Sequence, residues 1–442
     1  MTGDRHAVVL GAGVAGLLMA RVLSERFSRV TVLDRDTVHG VGPRRGVPQA
    51  RHIHGLLDRG RTSIEQLLPG FTADMATRGA TISEVLVETR WYAGGLRVAP
   101  TATGVTSVLA TRPVLESVLR QRVLARPGIR LRECAAARGL LGDARRVTGV
   151  RVGVGGETVT VPADLVVDAT GRASRAPEWL LDLGARPPHE ERREVDLGYT
   201  SRLYRHRPGQ LGGHNAVVVA TGADGRGGGA IRVEGDRWQL TLTGMLGDHP
   251  PTDSRGFAEF AASLPTPDLS DIIAAGEPLE DAVPHRFRSS VRRRFDRLTA
   301  PAGFLVAGDA LCSFNPLYAQ GMTVAAQQAL ALRDCLPADD IDLPSRFYAA
   351  ATECVTAAWQ LASTADLAHA GVPGSRTLRT RLTNAYTARA HRAAHIDPQV
   401  ARTFLRVVNL VDPPAALLRP RLAHRIMRCG GTSHTREARS RK

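Results

Sequence analysis

HAVVLGAGVAGLLMARVL, residues 6–23, compresses a strand, a turn and the start of a helix into one short stretch. His6–Leu10 is an apolar run of the length of a buried strand. GAGVAG (11–16) fits the pattern G-x-G-x-x-G and stands where that pattern has a mechanical meaning, between a strand and a helix over Val14–Phe27. Gly11 permits the tight turn, Gly13 lets a pyrophosphate approach the backbone, and Gly16 packs helix on sheet, while the helix amino end faces the phosphates. A second strand, Val30–Leu33, ends in Asp34, 18 residues past Gly16. A carboxylate there can hydrogen-bond a ribose diol and repels a 2′-phosphate. Turn and acid together indicate a dinucleotide site rather than a glycine-rich structural turn.

Two later stretches decide which dinucleotide. ADLVVDATGRASR (163–175) puts Asp168 at another strand end, followed by Gly171, Arg172 and Ser174. Phe304–Ala307 then runs into GDALCSFNPLYAQGM (308–322), with Pro316 and Gly321 ahead of a long Ala-rich helix. Asp309 suits the ribityl hydroxyls that FAD has and NAD lacks. A helix starting near Gly321 aims its positive end at the flavin pyrimidine edge, where it favours the negative charge of reduced flavin by up to ~2 kcal/mol. Glycine at 321 avoids a side chain that would strike the ring. The expected cofactor is FAD.

Composition excludes several other classes. The 442 residues suffice for two or three domains of ~150 residues, and 43% are hydrophobic, so the chain is globular. The longest uncharged run near the start, AVVLGAGVAGLLMA (7–20), is interrupted by glycines and is shorter than the ~20 apolar residues of a membrane span. No targeting peptide is visible, and the five scattered cysteines lack any C-x-x-C pair, which suits reduced thiols in a cytoplasm and no zinc site. The net charge of +15 raises nucleic acid as a partner, yet the arginines are dispersed and aromatics make up only 5%. The charge is read mostly as a solvated surface, with an acidic carrier protein holding the substrate as a weaker alternative. Lys442 is the single lysine, which removes Walker-type phosphate binding, Schiff-base chemistry and lysine-dependent flavin halogenation.

The pattern along the chain gives an α/β fold class: a Rossmann-like FAD-binding domain with an inserted antiparallel β-sheet substrate domain and a helical C-terminal region. The FAD-binding domain is expected in three parts, 1–80, 105–189 and 287–344. Strands of the substrate sheet are expected at 81–104 and 190–286, where NAVVVAT (215–221), GAIRVEG (229–235) and RWQLTLTG (237–244) alternate with Gly- and Asp-rich turns. A helical region over 345–430 and a disordered basic tail over 431–442 complete the chain.

Taken in this order and spacing, GAGVAG with Asp34-Arg35, DATGRAS and GDALCSFNPLYAQGM resemble the group A FAD-dependent monooxygenases, the p-hydroxybenzoate hydroxylase-like superfamily, over about residues 5–340. RRGVPQARHIHGLL (44–57) and FNPLYAQGM more closely resemble the flavin-dependent epoxidases of polyether-antibiotic pathways related to squalene epoxidase. The resemblance implies FAD contacts at Gly11, Gly13, Ala15, Gly16, Asp34, Arg35, Arg112, Asp309, Gly321 and Met322. It places Arg44 or Arg45 near the flavin and Asp168 in the middle motif. It also implies transfer of one atom of O2 from a flavin C4a-hydroperoxide to a hydrophobic secondary-metabolite substrate, by epoxidation or hydroxylation, with NAD(P)H or a partner flavin reductase as electron source. Since the flavin carries the chemistry, no catalytic side chain is expected. The rival reading is a non-redox FAD-containing cyclase on the same scaffold. Ala319 departs from the family, which usually carries glycine there.

Candidate pocket residues are Tyr204, Trp238, Pro316 and Leu317, although packing within the sheet explains Tyr204 and Trp238 equally well. His52 and His54, at i and i+2, do not share a helical face, so a hydrogen-bonding role is favoured over metal binding. Arg172 and Arg175 are read as a structural ion pair beside Asp168 or a transient NAD(P)H contact. Arg292-Arg293-Arg294 is read as a solvated face.

Overall fold

The computed structural model describes residues 4–38, 40, 42, 44, 46–336 and 341–429. Arg45 and the basic tail at 431–442 therefore lie outside the described residues. The architecture rests on a five-stranded parallel sheet in the order Phe304–Val306, Leu165–Asp168, His6–Leu10, Arg29–Leu33, Ile129–Arg132. Its central strand is HAVVL, in which Ala7, Val8 and Val9 are fully buried. That continuous apolar run is what a parallel strand covered on both faces requires. The helix Val14–Leu23 buries Leu17, Leu18, Met19 and Leu23, each contributing roughly 1.5–3 kcal/mol of burial. It stops at Ser24, short of the expected Phe27. It packs against the helix Gly321–Cys335, which brings the first and last motifs side by side.

Facing this layer is an eight-stranded sheet in the order Cys312–Ser313, Val283–Arg293, Glu190–Arg205, Arg237–Gly244, Arg226–Val233, Ala216–Val219, Thr89–Ala93, Leu96–Arg97. All neighbours are antiparallel except Ala216–Val219 with Thr89–Ala93, which run parallel. Val283–Arg293 continues past residue 286, and Thr81–Glu84 joins a separate small sheet with Thr106–Leu109 and Gly55–Leu56.

The C-terminal helices Leu378–Ile396, Pro398–Val408 and Pro420–Cys429 cover the Thr89–Ala93 side of the sheet. There Ala390, Ala393, Ala401, Leu405, Leu422 and Ile426 share a core with Val85, Leu86 and Ala93. No helix among the described residues is long and apolar enough to cross a membrane.

Candidate functional site

Four of the five parallel strands end in the residues singled out from the sequence. Gly11 follows the first strand, Asp34 the second, Asp168 the strand Leu165–Asp168, and Gly308-Asp309 the strand Phe304–Val306. Ligands of open α/β sheets lie at this carboxyl edge. Here the edge opens on a cavity of about 2230 Å³ that reaches across to the eight-stranded sheet. Gly11, Gly13, Ala15, Asp34, Arg35, Arg44, Arg112, Asp309, Pro316, Leu317, Gly321 and Met322 all line it.

The glycine turn behaves as its spacing demands. Gly11 has φ +98°, and a Cβ on Gly16 would lie 1.8 Å from the Gly11 carbonyl oxygen, so Gly16 is a packing position outside the cavity lining. A Cβ on Gly13 would meet nothing within 4 Å. The helix that follows has no side-chain cap, leaving its first N–H groups free for an anion. Asp34 Oδ2 accepts from Ala12 N–H at 2.7 Å and from Arg44 Nη1 at 3.1 Å, and Oδ1 accepts from Asp36 N–H at 2.9 Å. A carboxylate offers about four lone-pair sites, so one remains for a ligand hydroxyl.

Arg44 is held a second time, by Glu116 at 2.5 Å, and Glu116 also accepts from Arg112 Nε at 2.8 Å. Burial pushes the Glu116 carboxyl up, but Arg112 and Arg44 outweigh it and hold it below its usual range. Glu116 was missed from the sequence. The signal was its i+4 spacing from Arg112 on the helix Arg112–Leu124.

At the other end of the cavity, burial raises the Asp309 carboxyl above its usual range against the opposing pull of Arg112 and Arg172. The helix Gly321–Cys335 likewise starts without a side-chain cap, and a Cβ on Gly321 would stand 3.6 Å from Asp309 Oδ1. Ala319 adopts φ +51°, ψ 24°, the left-handed conformation in which glycine is at ease and alanine is strained. The loop is pinned from behind by Asp366 Oδ1, which accepts from Asn315 Nδ2 at 2.8 Å and Tyr318 OH at 2.9 Å.

An uncapped helix end beside an open glycine, a ribose-competent carboxylate, and a second helix end facing a half-buried acid form a donor set that fits FAD.

Four expectations need correction. Asp168 is fully buried and lies outside the lining of this cavity; its carboxylate accepts from Thr170 N–H at 2.9 Å, Thr170 Oγ1 at 2.6 Å and Ser174 Oγ at 2.6 Å, so it shapes the loop. Tyr204 and Trp238, paired across strands, face away from the cavity into a core with Phe257, Phe260 and Leu269. Side chains alternate along a strand, so the cavity face carries their neighbours Thr241, Thr243 and Tyr199 instead. Arg172 makes no pair with Asp168; it lies 4.0 Å over the Phe287 ring and donates to the Ser289 carbonyl at 3.1 Å, at the cavity wall. Arg292 and Arg293 are buried, and Arg293 Nη1 donates to the Ala310 carbonyl at 2.6 Å, tying the sheet to the loop that carries Asp309.

His52 and His54 both line the cavity. Burial lowers the His52 imidazole to about 3, with His285, His54 and Arg51 adding to it, and lowers His54 to about 4. Among the described residues, no group of three or more His, Cys, Asp or Glu is placed to hold a metal ion.

Comparison with known proteins agrees with this geometry. A family model described as the FAD binding domain matches residues 4–339. Protein Rv3254 of Mycobacterium tuberculosis (strain ATCC 25618 / H37Rv) is 31% identical over 444 residues, covering 95% of this chain and 94% of that protein. Kynurenine 3-monooxygenase of Salinispora tropica is 28% identical over 372 residues, 75% of this chain and 73% of the relative. The solved structure of the flavin-dependent brominase Bmp2 has the same fold, with a TM-score of 0.68 at 14% identity over 96% of this chain and 98% of that one.

Proposed function

This chain belongs to the FAD binding domain family, and on that premise we propose that it is an FAD-dependent monooxygenase that places one atom of O2 into a hydrophobic small molecule. The observation that carries the reading is the cavity of about 2230 Å³. Pockets for one small ligand occupy roughly 300–1,000 Å³, so this one has room for a cofactor and a substrate together. When bound, FAD supplies the oxygen chemistry.

The chain's residues bind, orient and exclude water. The free helix end at Val14 takes the pyrophosphate, Asp34 and Arg44 hold the ribose side, and Asp309 takes the ribityl hydroxyls. Leu197, Ala216, Ile231, Phe287 and Leu317 give the substrate side of the cavity its apolar walls. Epoxidation of an alkene is our first choice over ring hydroxylation, on the motif similarity of residues 44–57 and 314–322. The sequence holds one G-x-G-x-x-G turn between strand and helix, which favours transient NAD(P)H or a partner reductase as electron source. Although the brominase shares the fold, a chain whose single lysine is Lys442 supports oxygenation over lysine-dependent halogenation. None of the five cysteines is joined in a disulfide, which supports a reducing, cytoplasmic setting. The segment boundaries set out above belong to the same proposal.

The test is a visible spectrum of the purified protein, followed by anaerobic reduction and mixing with ¹⁸O2 in the presence of candidate alkenes. A yellow protein that yields product carrying one ¹⁸O atom is expected. A colourless protein that cannot be reconstituted refutes the reading, and turnover without O2 or reductant favours the cyclase.

A further inference from the structure

His52 is 2% exposed, yet it lines the cavity and its Nε2 has no partner among the described residues. Its ring is fixed from three sides. Tyr199 meets it edge-on at 4.4 Å between centroids, and His285 lies 5.6 Å away. Its Nδ1 is 2.7 Å from Ser201 Oγ, Ser201 Oγ is 2.5 Å from Thr241 Oγ1, and Thr241 Oγ1 accepts from the Ile53 N–H at 3.2 Å.

The protons along this chain can be placed by counting. Each hydroxyl carries one proton and two lone pairs. Suppose His52 Nδ1–H donates to Ser201 and Ser201 donates to Thr241. Thr241 Oγ1 then receives two donors, from Ser201 and Ile53, and its own proton finds no acceptor among the described residues. A buried donor is left unsatisfied, which native structures avoid. In the opposite direction Ile53 N–H donates to Thr241, Thr241 to Ser201, and Ser201 to Nδ1. Only Nε2–H is then left without a partner among the described residues, whereas the first direction strands two groups, the Thr241 hydroxyl proton and the Nε2 lone pair. The imidazole is thereby fixed as the Nε2–H tautomer, because the bond at one ring nitrogen sets the state of the other. The chain ends on a backbone amide that does not release its proton, so it cannot relay protons and serves only to orient the ring.

We propose that His52 Nε2–H is the hydrogen-bond donor that anchors the substrate, and that the substrate is an apolar molecule carrying a neutral acceptor oxygen, a ketone or ester carbonyl. Ser201 and Thr241 are positioning residues that lock the tautomer. A neutral ligand oxygen is chosen because the rings packed on His52 carry no charge, while Arg172, the guanidinium that acts on Tyr199 and His285, is stacked on Phe287 and bound to the Ser289 carbonyl, and Arg51 is exposed. Burial lowers His52 and His285 and raises the Tyr199 phenol, so all three are uncharged near pH 7. The ligand assignment rests on the monooxygenase reading, in which the substrate lies against the eight-stranded sheet; the tautomer assignment does not.

Two measurements on the holoprotein test it. In protein labelled with ¹⁵N-histidine, two-bond ¹H–¹⁵N spectra distinguish the neutral tautomers, and His52→Gln identifies the signal. The expected result is a pure Nε2–H form at pH 7, a mixture of tautomers in Ser201→Ala, and recovery of the pure form in Ser201→Thr. An Nδ1–H form or an imidazolium in the wild type overturns the proposal.

The second measurement compares 2-acetylnaphthalene with 2-isopropenylnaphthalene, which differ only in an oxygen replaced by CH2, by their perturbation of the bound flavin spectrum. The wild type should bind the ketone about tenfold more tightly, and His52→Leu should lose that preference while keeping its affinity for the alkene. Equal affinities in the wild type, or a preference that survives in His52→Leu, overturn the ligand role. If the ketone preference holds but no ¹⁸O enters any product, it is the oxygenation reading that has failed.

Discussion

Replacing Gly13 with alanine separates what the glycine turn does for the fold from what it does for a ligand. Gly13 sits at φ −78°, ψ −178°, extended backbone open to any residue, and its added Cβ would have no protein atom within 4 Å. The apoprotein should therefore tolerate the methyl, with a change of no more than about 1 kcal/mol from losing a glycine at a helix N-cap. The methyl would instead project into the space beside the first N–H groups of Val14–Leu23, where a pyrophosphate comes closest. Displacing one charge-assisted hydrogen bond there forfeits about 1.5–3 kcal/mol, or roughly 10- to 150-fold in affinity. Titration of apoprotein with FAD, followed by quenching of flavin fluorescence, measures the affinity, and thermal melting of the apoprotein measures the fold. Gly16→Ala is the contrasting control. Its Cβ would stand 1.8 Å from the Gly11 carbonyl oxygen, so the apoprotein itself should lose about 1–3 kcal/mol or more. Wild-type FAD affinity in Gly13→Ala, or an apoprotein as destabilised as Gly16→Ala, would refute the assignment of that open space to phosphate.

Further outcomes follow from residues already described. Ala319→Gly removes left-handed strain of about 1–2 kcal/mol and adds less than that in chain entropy, so the melting temperature should rise slightly. Asp168→Ala leaves three donors facing a buried hole and should lower stability by about 2–4 kcal/mol in urea unfolding, with Asp168→Asn less damaging. The folded state keeps His52 neutral to about 3 while the unfolded chain protonates near 6.5, so the unfolded state binds one more proton between those values. Stability from this group is present above pH 6.5 and is lost as pH falls, by about 1.4 kcal/mol per pH unit, and the stability–pH slope of His52→Gln between pH 6 and 4.5 should be shallower by that amount.

What the sequence disclosed was governed by distance along the chain. The strand–turn–helix at 6–23 was legible because turn, strand and helix signals sit within one local window. The same holds for Asp309 and Gly321, which a single loop carries to the cavity. For Trp238 and Tyr204 the choice between cavity and sheet packing stayed open in the sequence because alternation reveals that a strand has two faces, while the choice of face depends on the helices Ser254–Ala262 and Asp268–Ala275 that cover one of them. Asp168 looked like Asp34 in sequence, and only its three local donors distinguish them. The His52–Ser201–Thr241 chain was invisible, since its members come from a loop and two separate strands that meet only through the register of Glu190–Arg205 with Arg237–Gly244. Arg293 was assigned to solvent because a run of arginines gives no hint that a carbonyl 17 residues on will be buried against it.

The order in which the five parallel strands are assembled has a consequence for how the protein is made. Phe304–Val306 is the last of them to be synthesised, yet it occupies an edge beside Leu165–Asp168 and delivers Gly308-Asp309 to the shared rim. A nascent chain that has extruded only its first two hundred residues already owns the glycine turn but not the opposite jaw. On the proposed assignment of Asp309 and Gly321 to FAD, capture of the cofactor would wait until translation has passed Cys335, shortened or stalled chains would emerge colourless, and yellow colour would report complete, long-range closure.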